Sequence, residues 1–255
     1  MSSDPTPDRT QPEILRTYTA LHQISPTWGG QLILSLNLNP AGAALTIAAN
    51  IAGAVCLGID NDPTHLRDVV RTGAADFIVN TLDEAIRAMK NEVRKHAPLS
   101  VALNADPILT LNEILDRGLS PQLFSTFLPP SSLAPEQSSI LTQAAHQFQS
   151  QGASLIDFSG ESNSYPTLFT PSDALLTPIL AERHWTLQTH TFDTPAALRA
   201  FDAKALTILS HEAPHDTLRR RWLEAAPRIL QRQRPPHRSL WLTESESSAI
   251  NSTSQ

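Results

Sequence analysis

The sequence predicts an α/β protein in which a parallel β-sheet is covered by helices on both faces, followed by a mainly helical C-terminal portion. Short apolar runs recur through the first 160 residues, and helical patterns of about eight to sixteen residues separate them. The runs are nearly continuous in apolar residues, as in strands that are buried on both faces. A strand–helix–strand series with this spacing produces right-handed crossovers and therefore a parallel sheet.

The elements follow in a regular order along the chain. Strands are predicted at 32–36, 54–59, 77–79, 99–103, 122–127 and 154–158. Helices are predicted between them at 41–51, 64–71, 82–96, 108–117 and 136–151. Thr81 and Glu84 have the spacing of a capping box at the start of the third helix, and Gly118 closes the fourth.

The two ends of the chain differ in composition from the rest. Residues 1–10 are rich in Ser, Pro, Asp and Thr, and 243–255 are mostly Ser, Glu and Thr. Both are predicted to be disordered, because they carry too little apolar surface to offset the entropy of ordering. Between them we expect the α/β domain at 11–160 and an α-rich portion at 161–242 that packs on it. In that portion 195–230 has helical patterns, 239–242 is a last apolar run, and 160–180 has no readable period.

Composition and charge exclude several classes of function. The net charge of −6 argues against a nucleic-acid binder, and the basic cluster at 219–234 is predicted to be the solvated side of a helix. No apolar stretch reaches the roughly 20 residues that span a bilayer, so no membrane partner is expected. The single cysteine, Cys56, lies in an apolar strand and is predicted to be a packed thiol. With no secretory signal at the start, a cytoplasmic location is expected.

Three residues are candidates for binding a nucleotide cofactor at the ends of the predicted strands. Gly42 lies in the first turn of the first helix, Asp60 ends the second strand 18 residues later (60 − 42), and Asn104 follows the fourth strand. In open parallel sheets these places meet phosphate, ribose and the ligand crevice respectively. Each also has an ordinary structural interpretation as a cap or a turn. Asn39 followed by Pro40 is typical of a helix start that is capped by its own side chain.

A series of segments resembles the Rossmann-like NAD-binding domain of the urocanase (urocanate hydratase) family. The resemblance runs from about Trp28 to Trp241 and is densest over its first ninety residues. The segments that carry it are Ala52-Gly53-Ala54-Val55-Cys56-Leu57, Asp60-x-Asp62-Pro63, Thr72-Gly73-x-x-Asp76, Leu82-Asp83-Glu84-Ala85, Pro98-Leu99-Ser100-Val101, Asn104-Ala105, Arg117-Gly118, Arg221-Trp222-Leu223 and Arg238-Ser-Leu-Trp241-Leu242.

The resemblance implies NAD as the cofactor. In that family NAD acts as an electrophile that adds to the imidazole side of urocanate so that water can be added, in histidine degradation. The family's glycine-rich loop, Gly-Leu-Gly-Gly-Met-Gly-Gly-Ala, corresponds here to 37–44, which keeps one glycine of five. Because a dinucleotide pyrophosphate needs bare backbone N–H groups at this helix start, we expect NAD to bind weakly or not at all.

The catalytic positions implied by the resemblance are also replaced. The family's Thr-Asp-Gln-Thr-Ser-Ala-His-Asp stretch corresponds to residues 125–132, and Leu240 stands at the active-site cysteine position. No catalytic residue is therefore predicted, and the chain alone is not expected to hydrate urocanate. No metal site is predicted either: His211, Glu212 and His215 match a zinc-protease pattern, but Pro214 interrupts the helix that this pattern needs.

These observations predict a non-catalytic urocanase-family homologue that binds a nucleotide or another small ligand, or has a regulatory role. Two alternatives stay open. The chain is either an interaction partner or subunit of a complete urocanase, or a true urocanate hydratase that acts only with another polypeptide. The expected partners are a small-molecule ligand and a second copy of the chain.

Overall fold

The computed structural model of the chain describes residues 10–160, 168–213, 215–231 and 233–252. Residues 1–9 and 253–255, for which disorder is predicted, lie outside the described residues. Thr10, which was assigned to the disordered N-terminal end, instead begins a helix.

A seven-stranded parallel sheet forms the centre of the molecule and confirms the predicted fold class. The order across the sheet is β3-β4-β2-β1-β5-β6-β7. The six predicted strands are present to within one residue at each end, and β7 is an addition. The strands are β1 (Leu32–Leu36), β2 (Val55–Asp60), β3 (Phe77–Val79), β4 (Leu99–Asn104), β5 (Leu123–Thr126), β6 (Ser154–Asp157) and β7 (Thr170–Pro171).

Helices cover both faces of this sheet. They are α1 (Thr10–Ile24), α2 (Pro40–Ala52), α3 (Pro63–Thr72), α4 (Leu82–Lys95), α5 (Pro107–Asp116) and α6 (Pro135–Ser150). On one face α1, α2 and α3 contribute buried apolar side chains to a core shared with the C-terminal portion. On the other face α4, α5 and α6 build a second core against the sheet. No helix in the described parts of the chain is long and apolar enough to cross a membrane.

The chain reverses its direction of travel across the sheet beside β1. Helix α2 carries the chain from β1 to β2 on one side, and α5 carries it from β4 back past β2 and β1 to β5. The loops that follow β1 and β5 therefore diverge at the carboxyl edge of the sheet. This is the switch point at which open α/β sheets form a ligand crevice.

The C-terminal portion contains more strand than the sequence predicts. Its elements are α7 (Ser172–Glu182), β8 (Thr186–Thr191), α8 (Pro195–Glu212), α9 (Thr217–Ile229), β9 (His237–Leu242) and α10 (Glu244–Ser252). The two helices α8 and α9 agree with the predicted helical region at 195–230. Strand β9 includes the apolar run at 239–242, and it pairs antiparallel with β8 in a separate two-stranded sheet.

Helix α1 joins the beginning of the described chain to its end. The side-chain oxygen of Gln11 accepts a hydrogen bond of 2.6 Å from the N–H of Ser239, and its amide donates to the carbonyl of His237 at 3.2 Å. About two turns further along α1, the Tyr18 hydroxyl donates a hydrogen bond to the carbonyl of Leu218 at 3.2 Å. The N-terminal helix is thus part of the same folded unit as β9 and α9.

The expected solvation of the basic cluster is wrong for Arg219, and the expected disorder from Thr243 is wrong for α10. The side chain of Arg219 is 2% exposed and forms two hydrogen bonds with the carboxylate of Glu246, at 2.6 and 2.9 Å. It also pairs with Asp216 and lies over the Trp185 ring. A buried guanidinium needs such partners, so this ion pair orders a segment whose composition alone predicts disorder.

Candidate functional site

A cavity of about 860 Å³ opens at the switch point. The start of α2 forms one wall through Asn39 and Ala41, and the loop after β5 forms another through Phe127 and Ser131. Phe158, which follows β6, adds an apolar surface. The size is that of a small-molecule site, and its position is the one that the topology predicts.

The backbone N–H groups at the start of α2 are all used within the protein. Asn39 caps the helix as predicted: its Oδ1 atom accepts hydrogen bonds from Ala41 N at 3.1 Å and Gly42 N at 3.0 Å. Asn39 N donates to the side chain of Asn37 at 2.8 Å, and Ala43 N donates to the carbonyl of Asn39. Pro40 has no N–H to offer. No backbone N–H from Leu38 to Ala43 is left for a phosphate, since Leu38 N donates to the side chain of Asp60.

Gly42 is required by close packing. A Cβ atom at this position would lie 2.1 Å from the carbonyl oxygen of Asn37 and 3.3 Å from the Phe127 ring. Asn37 itself has a φ of 69°, a left-handed conformation that Asn tolerates better than most residues. The loop therefore folds back against the first turn of α2, so the glycine is needed for contact with the protein's own backbone.

Asp60 lies where the sequence places it, at the end of β2, but its carboxylate is occupied. It is 2% exposed. One oxygen accepts from Leu38 N at 2.6 Å and from His65 Nδ1 at 2.8 Å, while the other accepts from Asp62 N at 2.8 Å. The predicted ribose-binding acid thus holds the loop after β1 and the first turn of α3.

His65 is a residue that sequence reasoning missed. Its side chain is 27% exposed and lines a second cavity of about 480 Å³ between α2 and α3. A spacing of five residues from Asp60 places it in the first turn of α3, which was the available signal. Because a carboxylate can only accept, Nδ1 of His65 carries the proton in this contact.

Asn104 shares the carboxyl edge of the sheet with Asp60. The two residues are partners in the β2–β4 register, so the structure brings two of the three predicted site residues together. The Asn104 amide donates to Asn80 at 3.2 Å, and the side chain is exposed. Gly42 lies on the other side of Asp60, beyond the loop at 37–39.

The loop after β5 provides apolar and hydroxyl groups to the cleft. Phe127 is 5% exposed and packs on the first turn of α2. Beyond it, Ser132 donates its hydroxyl to the carbonyl of Pro129. At the rim, Arg16 of α1 pairs with Asp173 of α7 at 2.5 Å, with both side chains largely exposed. The described lining therefore offers stacking surfaces and hydrogen-bonding groups, and its charged groups are the Arg16–Asp173 pair and Glu13.

Cys56 is fully buried, as predicted, and burial raises the pKa of its thiol to about 12, so it stays protonated. Among the described residues, no group of three His, Cys, Asp or Glu side chains is arranged to hold a metal ion. His211 lies in the last turn of α8, which ends at Glu212. Pro214, the residue expected to interrupt the zinc pattern, lies outside the described residues.

Comparison with known families identifies the first half of the chain. Residues 13–131 match the family model described as the urocanase Rossmann-like domain. This stretch of the chain is therefore similar to the urocanase Rossmann-like domain. The resemblance predicted from the motifs is confirmed over this range, and its continuation to Trp241 stays a prediction.

The matched segment includes the loop at 37–39, Asp60, His65 and Asn104, and it ends in the loop that lines the cleft after β5. Among solved structures, the chain is similar to a short chain alcohol dehydrogenase (rspB) from E. coli CFT073 complexed with NADH. The identity is 11% over 72% of this chain and 51% of that chain, with a TM-score of 0.34. The chain thus spans about half of that dehydrogenase, and a likeness this distant says nothing about ligands.

Proposed function

We propose that this protein is a non-catalytic member of the urocanase family that binds a small ligand in the switch-point cleft. The proposal includes a regulatory or ligand-sensing role, a cytoplasmic location and no urocanate hydration by the chain alone. One observation carries it: every backbone N–H from Leu38 to Ala43 donates to an acceptor of the protein itself.

This observation bears directly on NAD. Dinucleotides place their pyrophosphate against free N–H groups at the helix start after the first strand. Here the Asn39 side chain accepts the two foremost N–H groups of α2. Each hydrogen bond to a charged group contributes roughly 1.5–3 kcal/mol, so the loss of two weakens binding about a hundred-fold or more. The residues present do not fit the pyrophosphate, and no step through NAD is proposed.

The positions implied for catalysis support the same proposal. Leu240, at the position of the family's active-site cysteine, is fully buried in β9 and has no titratable group. Phe127 and Leu128 stand in the loop where the resemblance implies acidic and amide side chains. General acid–base chemistry needs groups that exchange protons at the substrate, and apolar side chains cannot do this.

The cleft favours a compact ligand with an apolar surface and hydrogen-bonding groups. Phe127 and Phe158 supply faces for an aromatic or aliphatic body, while the Asn39 side chain and the hydroxyl of Ser131 are polar. The proposed ligand is smaller than a dinucleotide and does not depend on a pyrophosphate. Asp60 and Gly42 support the shape of this wall, and the proposal gives neither a direct role in the cleft.

Three measurements test the proposal. Mass spectrometry of the natively purified protein is expected to show no NAD, and titration calorimetry with NAD is expected to show no dissociation constant in the micromolar range or below. With added NAD, the absorbance of urocanate is expected to fall no faster than in an enzyme-free control. Stoichiometric NAD or turnover above that control would contradict the proposal.

The ligand cleft itself is tested by screening small metabolites for thermal stabilisation. A compound that stabilises the parent protein is expected to lose its effect in Ser131→Trp, which fills the cleft from an exposed loop position. Ser139→Trp, on the exposed face of α6 away from the cleft, is the matched control. If every hit stabilised both variants equally, the cleft would not be the binding site.

A further inference from the structure

Strand β8 has one paired edge and one open edge. The backbone N–H and C=O groups of its even-numbered residues point toward β9. This orientation follows from the hydrogen bonds that β9 makes on its other side. On β9 the carbonyls of His237, Ser239 and Trp241 point away from β8, since helix side chains bond to them. Their partners in the register are Thr191, Thr189 and Leu187. The N–H and C=O groups of these three residues therefore point outward, and no described residue pairs with this edge.

The open edge lacks the features that normally prevent edge pairing. The strand reads Thr-Leu-Gln-Thr-His-Thr, with no Lys, Arg, Asp, Glu or Pro. Leu187, Thr189 and Thr191 are exposed on it. Natural edge strands are usually protected by charges, prolines or bulges, and an edge without them is ready to accept another strand.

The far edge of the same small sheet is closed. Gln11 bonds to the N–H of Ser239 and the carbonyl of His237, Trp222 Nε1 donates to the carbonyl of Ser239, and Arg219 donates to the carbonyl of Trp241. The side chains of α1 and α9 thus occupy the places of a neighbouring strand. Within this small sheet a second copy can therefore add only at β8, so pairing through this sheet ends at two copies.

Charges beyond the strand complement each other when two copies run antiparallel. Arg183 precedes β8 and Asp193 follows it. Antiparallel pairing centred on Thr189 brings Asp193 of each copy to the end where Arg183 of the other lies. Within one copy Arg183 also contacts Glu182, at 3.6 Å, and its side chain is 57% exposed. The pairing therefore brings no charges together along the strand, and at each end it places Asp193 near the Arg183–Glu182 pair of the other copy.

We propose that β8 pairs antiparallel with β8 of a second copy of this chain, around a two-fold axis at Thr189. The product is a four-stranded sheet, β9-β8 of one copy continued by β8-β9 of the other. Thr189 faces its own equivalent, and Leu187 faces Thr191 of the second copy. Three pairs of this kind form about six backbone hydrogen bonds.

The test uses the residue on the axis. Thr189→Lys places two like charges opposite each other, as does Thr189→Glu, whereas Thr191→Lys places a charge opposite Leu187 and is the matched control. Sedimentation equilibrium over a concentration series is expected to show a dimer for the parent. The dimer dissociation constant should rise about tenfold or more in either residue 189 variant and less in Thr191→Lys.

Mixing the two residue 189 variants in equal amounts is expected to restore dimers, because lysine then faces glutamate. Circular dichroism and denaturation of each variant check that the fold is kept, since Thr189 also contacts Ser239. A parent that stays monomeric at all concentrations would overturn the proposal, even if the edge took up a foreign peptide. Dimers that survive in Thr189→Lys, or a mixture without restored pairing, would overturn it as well.

Discussion

The carboxylate of Asp60 accepts a hydrogen bond of 2.6 Å from the backbone N–H of Leu38, 22 residues earlier in the chain. One side chain at the end of β2 thereby holds the loop that follows β1. The same oxygen binds His65, so the loop, the second strand and α3 meet at one buried charge. The edge of the sheet where Rossmann-like domains bind a nucleotide is consequently held together by hydrogen bonds within the protein.

Replacing Asp60 with Asn is expected to destabilise the fold by about 2–4 kcal/mol, because the amide cannot accept from Leu38, His65 and Asp62 together. Urea denaturation measures this change. The matched control is Asp62→Asn in the same turn, where the side chain caps α3 through Thr64 N and Asn is an equally good cap. Equal stability of the two variants would show that the Asp60 contacts contribute little.

Replacing Asn39 with Ala is expected to lower the free energy of unfolding by about 1 kcal/mol, whereas Asp or Ser at this position should be nearly neutral. The reason is the pair of hydrogen bonds from Ala41 N and Gly42 N. Denaturation with and without NAD checks it, with Asn91→Ala on the exposed side of α4 as a control. An alanine variant as stable as the parent that gained or lost protection by NAD would return the loop to a phosphate-binding role.

Gly42 and Gly58, two glycines at which an added Cβ would clash, are expected to respond differently to alanine. In Gly42→Ala the new Cβ clashes with the backbone carbonyl of Asn37. The free energy of unfolding should fall by about 2 kcal/mol, and no side-chain substitution nearby should restore it. In Gly58→Ala the Cβ meets the Leu38 side chain at 2.4 Å, so Leu38→Ala should recover about 1 kcal/mol of coupling energy in a double-mutant cycle. Simple additivity of the Gly58 and Leu38 changes would contradict this packing.

Stability is expected to fall in acid through Glu246. Burial works to raise the pKa of this carboxyl, but hydrogen bonds from Arg219 and Thr243 and the charge of Arg219 outweigh it, so the folded pKa lies below the usual value of 4.5. A carboxyl with a depressed folded pKa contributes stability above its unfolded pKa and loses it as the pH falls through the folded one.

We therefore expect the free energy of unfolding to decline below about pH 4.5, with a shallower decline in Glu246→Gln, which has no charge to lose. Exposed Glu244 in the first turn of the same helix supplies the matched variant, Glu244→Gln. Denaturation at several pH values measures both slopes. A Glu246→Gln slope equal to the parent's would remove Glu246 from the explanation.

The sequence predicted the parallel sheet well because each buried strand is an apolar run bounded by turn residues. The caps were also readable, since Asn39-Pro40 and the Thr81–Glu84 spacing act locally. Strand β8 was missed because its alternating positions are all polar except Leu187, and its pairing with β9 joins residues about 50 apart. Helix α10 was missed because its order depends on Arg219, which no local pattern reveals.

For the site, the chain positions of Asp60 and Asn104 were predictable from strand ends. The use of the Asp60 carboxylate was not, because it depends on how the loop at 37–39 turns back in space. His65 was overlooked for the same reason. Local sequence identifies the groups at an edge, but only the three-dimensional arrangement shows which of them are already engaged.

The bond between Gln11 and Ser239 joins residues 228 apart. During synthesis, α1 leaves the ribosome long before β9 exists, so the apolar side of the first helix has no complete docking surface until nearly the whole chain is made. The central strands can pair earlier, because their partners are closer in sequence. The hydrogen bonds between α1 and β9 therefore form late in folding, and a chain truncated before β9 would leave that helix packed on α2 but without these bonds.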